Sequence, residues 1–271
     1  MIPNELVHYT NKEIALEHIL YEKKIKFGLL GMTNDPKETK EWGFPLLTTM
    51  EDSLFSKSKS TRNNIDFTIS VQDIVNEIMT KEWKVLCLTK HSTYNHKRVL
   101  SEEFSRAYSH PGLWAHYGEN HSGVCIIFNQ KKLNKNIHNH LSKDHKIFQG
   151  SVEYNNIRAI VQSAIDVSNS HLNINDLIRE YFINNYEDCF LRKTTDWKFE
   201  HEYRWLIHDV KKEPIFIPIS GAINGVIVGP DFPKVYETTL EILCKEMKIY
   251  AGKIHWYNGM PRVNKSAIYS P

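Results

Sequence analysis

Trp197-Lys198-Phe199-Glu200-His201-Glu202-Tyr203-Arg204 gathers two carboxylates, a guanidinium, a histidine and three aromatic rings into one short run. Side chains of an extended chain alternate between faces, so Glu200, Glu202 and Arg204 are expected together on one face of a strand. Such a trio is costly to bury without a partner or a task. The task it suits is holding a sugar hydroxyl and stabilising a developing oxocarbenium ion with a fixed carboxylate in a dry cleft. Arg192, Lys193 and Arg204 are candidate ligands for phosphate oxygens. The plainer alternative is a solvated strand face on which Arg204 pairs with Glu202, an arrangement of modest value.

Two further knots carry chemistry. His8-Tyr9-Thr10 stands where a strand meets a helix start, and the free amides and dipole of such a terminus favour an anionic or hydroxyl-bearing ligand. The imidazole can donate to a ribose hydroxyl, and a neighbouring ring can stack on a base. A histidine bonded to a backbone carbonyl, with Thr10 only capping the helix, is the competing reading. The run from Pro111 to Gly123 holds Trp114, His116, Tyr117 and His121 between glycines. Loops of this kind present binding groups from a rigid scaffold. Places in the core for Trp114 and Tyr117 are an equal alternative. His116 and His121 are five apart, which matches no common zinc spacing.

The elements that must position these groups follow from pattern. Residues 6–9 read as a strand, and Thr10-Asn11-Lys12-Glu13 matches a capping box opening a helix with Ile14, Leu16, Ile19 and Leu20 on its apolar stripe. Residues 25–27, 85–88, 124–128, 152–154, 203–207, 215–219, 226–228 and 254–257 have strand character. Helices are expected at 66–81, 157–167, 174–191 and 234–247, and a short one at 36–42 after the Asn34-Asp35-Pro36 turn. Polar insertions lie near 53–64 and 129–146. The order is not a regular alternation of strand and helix, so one α+β domain over residues 1–271 is expected. Its central sheet should be mixed, partly antiparallel and flanked by helices.

Bulk properties narrow the function classes. The 271 residues carry a formal charge of +2, which implies no general affinity for nucleic acid or an anionic membrane. Cys87, Cys125, Cys189 and Cys244 form no C-x-x-C pair, and three of them sit in apolar runs. Reduced thiols in a soluble cytoplasmic protein are therefore expected, with neither a cysteine-based metal site nor a membrane partner. Signatures of P-loop, Rossmann, zincin and serine-hydrolase chemistry are absent from the sequence.

The ordered set His8-Tyr9-Thr10, Asn34-Asp35-Pro36-x-Glu38, Trp114-x-His116-Tyr117, Gly123-Val124-Cys125 and Lys193-x-x-x-Trp197-x-x-Glu200-x-Glu202-x-Arg204 resembles a widespread bacterial family known only as a domain of unknown function (number twenty-nine seventy-one). More distantly, the early strand ending in His-x-Thr, the helix after it and the E-x-E resemble ADP-ribosyltransferase-like toxins. That resemblance implies an ADP-ribosyltransferase-like fold with NAD as substrate, and a toxin or phage-defence role. It implies NAD binding by His8, with Tyr9, Thr10, Tyr117 and Arg204 beside it. It also implies catalysis by Glu202 with Glu200 as its partner. The acceptor would be a nucleic-acid base, a protein side chain or water. Tyr9, Tyr117 and Tyr154 are all candidates for the ring that stacks on nicotinamide. Two other readings compete: a nucleotide-sensing module without turnover, and a metal-dependent hydrolase or nuclease using Asp35, His116, His121 and the glutamate pair.

Overall fold

The computed structural model describes residues 4–47, 60–92, 104–141, 145–160, 162–168 and 173–271. In chain order the strands of the first half are β1 Glu5–Thr10, β2 Lys24–Leu29, β3 Leu46–Leu47, β4 Trp83–Lys90, β5 Val124–Asn129 and β6 Lys146–Ser151. Then come β7 Glu153–Tyr154, β8 Ile165–Asp166, β9 Arg192–Lys193, β10 Glu202–His208, β11 Ile215–Pro218, β12 Ile223–Val228, β13 Tyr250–Tyr257 and β14 Met260–Tyr269. A ten-stranded sheet runs β11-β2-β4-β1-β5-β12-β13-β14, with β10 on the far edge of β4 and β6 outside it. Every described pairing in that sheet is antiparallel except β12 with β13. The chain is thus α+β with a mostly antiparallel central sheet.

One edge of β4 is shared, and that sharing makes the cleft. β2 pairs with it at Val85 and Lys84, and β1 pairs with it at Lys90 and Thr89. Between these two short ladders, neither strand pairs with Leu86, Cys87 and Leu88. An unpaired backbone carbonyl must find another partner when buried. For Cys87 that partner is the His8 ring, whose Nδ1 lies 3.3 Å from the carbonyl oxygen.

Alternation along the strands sorts the core into two layers. Leu6, Leu86, Leu88, Ile126, Phe128, Trp205 and Ile207 face one way. There they pack with Leu16, Ile19 and Leu20 of the first helix and Leu240 and Leu243 of the helix Glu237–Met247. The opposite face carries two separate apolar clusters. One holds Val85, Leu206, Trp83 and Phe190; the other holds Val7, Tyr9, Trp114, Cys125 and Ile127. Cys87, Thr89, Glu202 and Arg204 have the parity of this second face, and the polar cleft lies between its two clusters.

Several expectations need correction. Thr10 belongs to the strand, and the helix start is capped by Asn11, whose Oδ1 accepts from the Ile14 amide at 2.7 Å. The segment Ile14–Leu20 is π-helical, which rotates Ala15 inward and leaves Ile14 half exposed. Within the expected loop at 53–64, residues 53–59 lie outside the described residues, while Ser60 opens the helix Ser60–Glu77. The polar insertion after Asn129 is a helix, Gln130–His140, because Leu133 and Ile137 are one turn apart and both buried. The expected helix at 157–167 is only Asn156–Ile160, followed by β8, and the one at 174–191 breaks at Asn185 into Ile174–Asn184 and Tyr186–Phe190. The hairpin β13–β14 closes through Asn258 and Gly259, both with positive φ. Strand β14 is mostly exposed and polar from Arg262 to Ser266, so its sequence lacks a clear apolar alternation.

Candidate functional site

Glu200 is not on the strand. It ends a 3₁₀ turn, Thr195–Glu200, and His201 then takes a left-handed conformation (φ 45°) before β10 begins at Glu202. The shared strand face was expected for all three residues and holds only for Glu202 and Arg204. The kink at His201 nonetheless brings Glu200 back beside Glu202, and one ammonium joins them. Lys193 Nζ lies 2.9 Å from Glu200 Oε2 and 2.9 Å from Glu202 Oε2.

Around that pair the polar groups close into a ring. Arg204 Nε donates to Glu202 Oε1 at 2.8 Å and Nη2 to Oε2 at 3.1 Å. Nη1 donates to Glu38 and, at 2.7 Å, to the Phe190 carbonyl. The other oxygen of Glu38 accepts from Thr33 Oγ1 at 2.6 Å. In the other direction, Tyr117 donates its hydroxyl proton to Glu200 Oε1 and accepts from Asn34 Nδ2 at 2.6 Å. Thr33 and Asn34 are consecutive, so the network starts and finishes on one turn of chain. Asp35 ends that turn by accepting from the Lys37 amide at 2.9 Å, which caps the helix Pro36–Thr39. Tyr154 OH accepts the Glu202 amide at 2.8 Å.

The two glutamates differ in what they have left to offer. A carboxylate has about four acceptor positions. Glu202 accepts two bonds from Arg204, lies 2.9 Å from the Lys193 ammonium and faces the Cys87 thiol, so it is the more engaged of the two. Among the described residues, Glu200 accepts only from Tyr117 and Lys193. Burial pushes both carboxyls up, but Arg204 and Lys193 override it for Glu202 and pull that group to about 2. For Glu200 burial wins, aided by the charge on Glu202, and its pKa is raised. Neighbouring acids whose environments drive them apart mark an acid–base pairing.

Charge in the ring runs to three carboxylates, Glu38, Glu200 and Glu202, against Lys193 and Arg204. Both cations are buried and paired with these carboxylates, which disfavours the phosphate-binding role that the sequence suggested for them. Arg192 is likewise held, by Asp188 at 2.5 Å and Glu153 at 3.6 Å. The cleft has a volume of about 130 Å³ and is lined by His8, Cys87, Tyr117, Glu200 and Glu202 among others. That is well below the several hundred Å³ of a site enclosing a whole drug-sized ligand, and it suits one ring or sugar.

His8 stands at the split in β4 with its Nδ1 proton given to the Cys87 carbonyl. Burial lowers its pKa, so it is neutral and its Nε2 is an acceptor. The expectation that it donates to a hydroxyl is therefore reversed: this tautomer accepts. Tyr9 donates to the Ala107 carbonyl at 2.8 Å, and its ring meets Trp114 edge-on at 5.0 Å, which fixes it in the core. Thr10 ends β1 and does not line the cleft. Tyr117 does, held by the turn after the helix Pro111–His116, where Glu119, Asn120 and His121 are all left-handed and Glu119 is tied to Lys12. His116 lies against Phe199, and His121 against Trp256. Among the described residues no three His, Cys, Asp or Glu side chains are grouped to hold a metal ion. The ligand set considered for a metal-dependent hydrolase is thus not assembled there. No helix among the described residues is long and apolar enough to cross a membrane.

Residues 113–205, a stretch from the Pro111–His116 helix into β10, match the family model described as a protein of unknown function (DUF2971). The match takes in Tyr117, Lys193, Glu200, Glu202 and Arg204 but not His8 or Glu38. No curated protein and no solved structure matches the chain.

Proposed function

We propose that this chain, with its DUF2971 match over residues 113–205, binds NAD or a related nucleotide and breaks the bond between nicotinamide and ribose. The observation that carries the reading is the meeting of His8, Tyr117, Glu200 and Glu202 in one small cleft with carboxylates in excess. A pyridinium cation is attracted to such a cleft, whereas phosphates are not, and the cleft volume suits the nicotinamide ring with the ribose at its mouth and the diphosphate outside. As the glycosidic bond breaks, its electron pair leaves with nicotinamide and positive charge spreads over the ribose carbon and ring oxygen. Glu200, with acceptor positions to spare, stabilises that charge and takes the proton of the attacking nucleophile. Glu202 supports it from behind, which exchanges the roles first given to the two glutamates. His8 Nε2 accepts from a ribose hydroxyl, and Tyr117 is the ring beside the nicotinamide. The acceptor is a nucleic-acid base, a protein side chain or water.

The test is nicotinamide release from NAD by the purified protein, with and without DNA, RNA and cell lysate, beside a Glu200→Gln variant. Release by the parent and not by the variant is expected. The engagement of Glu202 with Arg204 and Lys193 favours a second reading, a nucleotide-sensing module without turnover. That reading gains if NAD binds, is never cleaved and binds equally to the variant.

A further inference from the structure

We propose that Lys193 is a positioning residue, whose ammonium holds the carboxylates of Glu200 and Glu202 side by side and fixes Glu200 as the oriented acceptor of the cleft. This rests on the reading of Glu200 as the carboxylate that meets the ligand. The lysine is buried, and its Nζ is 2.9 Å from one oxygen of each glutamate. Its backbone is pinned as well: β9 pairs in parallel with β7, placing Lys193 opposite Tyr154. Tyr154 in turn accepts the amide of Glu202, so the strand that seats the lysine also seats the first residue of β10. The Trp197 ring, 5.1 Å from Nζ, closes the remaining side.

Arg204 cannot take over this task, because its donors are engaged with Glu202, Glu38 and Phe190. The other groups facing Glu200 are Tyr117, which donates to it, and Glu202, which repels it, with Tyr154 beyond. Without the ammonium, two carboxylates would meet in a buried cleft with a cation on only one of them. Such a pair retains a proton that the lysine otherwise displaces.

Carboxylate titration of protein labelled with ¹³C at the glutamate side chains tests this, with the Glu200 signal assigned through Glu200→Gln. In Lys193→Met, Glu200 should titrate at higher pH than in the parent. An unmoved titration overturns the proposal. If Lys193→Met does not fold, Lys193→Met/Glu200→Gln decides. Recovery of the fold on removing the second charge supports the proposal, and a double variant as unfolded as the single one overturns it. No NAD enters these measurements, so failure of NAD cleavage in the assay above leaves them intact.

Discussion

Glutamine at position 200 keeps an acceptor for the Tyr117 hydroxyl but removes the charge that, on the proposed function, stabilises the oxocarbenium ion. Nicotinamide release should fall by about 10²–10³-fold, the loss typical of one preorganised electrostatic group, with the thermal midpoint little changed. Glutamine at position 202 has a different effect. It leaves Arg204, buried with its Nε and Nη2 on Glu202, without half of its counter-charge. Removing one partner of a buried pair costs about 3–5 kcal/mol. Urea unfolding of Glu202→Gln should show that loss whatever becomes of activity. The two substitutions thus separate the carboxylate proposed to meet the ligand from the one that anchors Arg204. The E-x-E resemblance gave catalysis to Glu202 with Glu200 as its partner, whereas the tertiary partners are what distinguish the two side chains.

At the scale of elements, the site depends on a few backbone corners. His201 sits at φ 45°, and that left-handed residue turns the 3₁₀ segment into β10. A β-branched residue is disfavoured there, by about 1–2 kcal/mol. His201→Val should therefore lower stability and displace Glu200 from Lys193, whereas His201→Gly should fold at least as well; urea midpoints compare the two. The turn that presents Tyr117 has a second corner. A Cβ at Gly229 would lie 1.9 Å from the His121 carbonyl oxygen. Gly229→Ala should cost about 1–3 kcal/mol through overpacking, again read as a urea midpoint. Strand and helix types were largely legible from periodicity. These corners were not, because φ at a histidine is set by what the chain must join on either side.

For the whole molecule, acid is the informative perturbation. Burial lowers His110 to about 4, with His201 and His91 adding repulsion. A histidine with a depressed folded pKa contributes stability above its ordinary value of 6.5, and that contribution is lost as pH falls from there towards 4. Glu202, pulled from 4.5 to about 2, contributes stability that is lost as pH falls through that lower range. Glu200 has the opposite sign: with its pKa raised, its contribution is present in acid and declines as pH rises through its folded pKa. Urea midpoints should fall from pH 7 to pH 4 and again below it, and Glu202→Gln should shrink the second step, to which Glu5 and Glu82, lowered by their own partners, also contribute.

By itself the sequence determined the α+β class, most strand positions, the burial of Cys125 and Cys244, and the knots of polar and aromatic residues at 8, 117 and 200–204 that line one cleft. Local pattern is sufficient there, because alternation and apolar spacing record which side of each element meets the core. Tertiary structure decided the rest. Sharing one edge of β4 between β1 and β2 opened a cleft and gave His8 a carbonyl to hold, which no stretch of either strand encodes alone. Closure of a ring from Thr33 through Arg204, Lys193 and Tyr117 back to Asn34 decided which charges are engaged and which carboxylate is available. Hydrogen bonding and charge pairing act over a few ångströms in space. The residues they joined here are up to 166 positions apart in the chain.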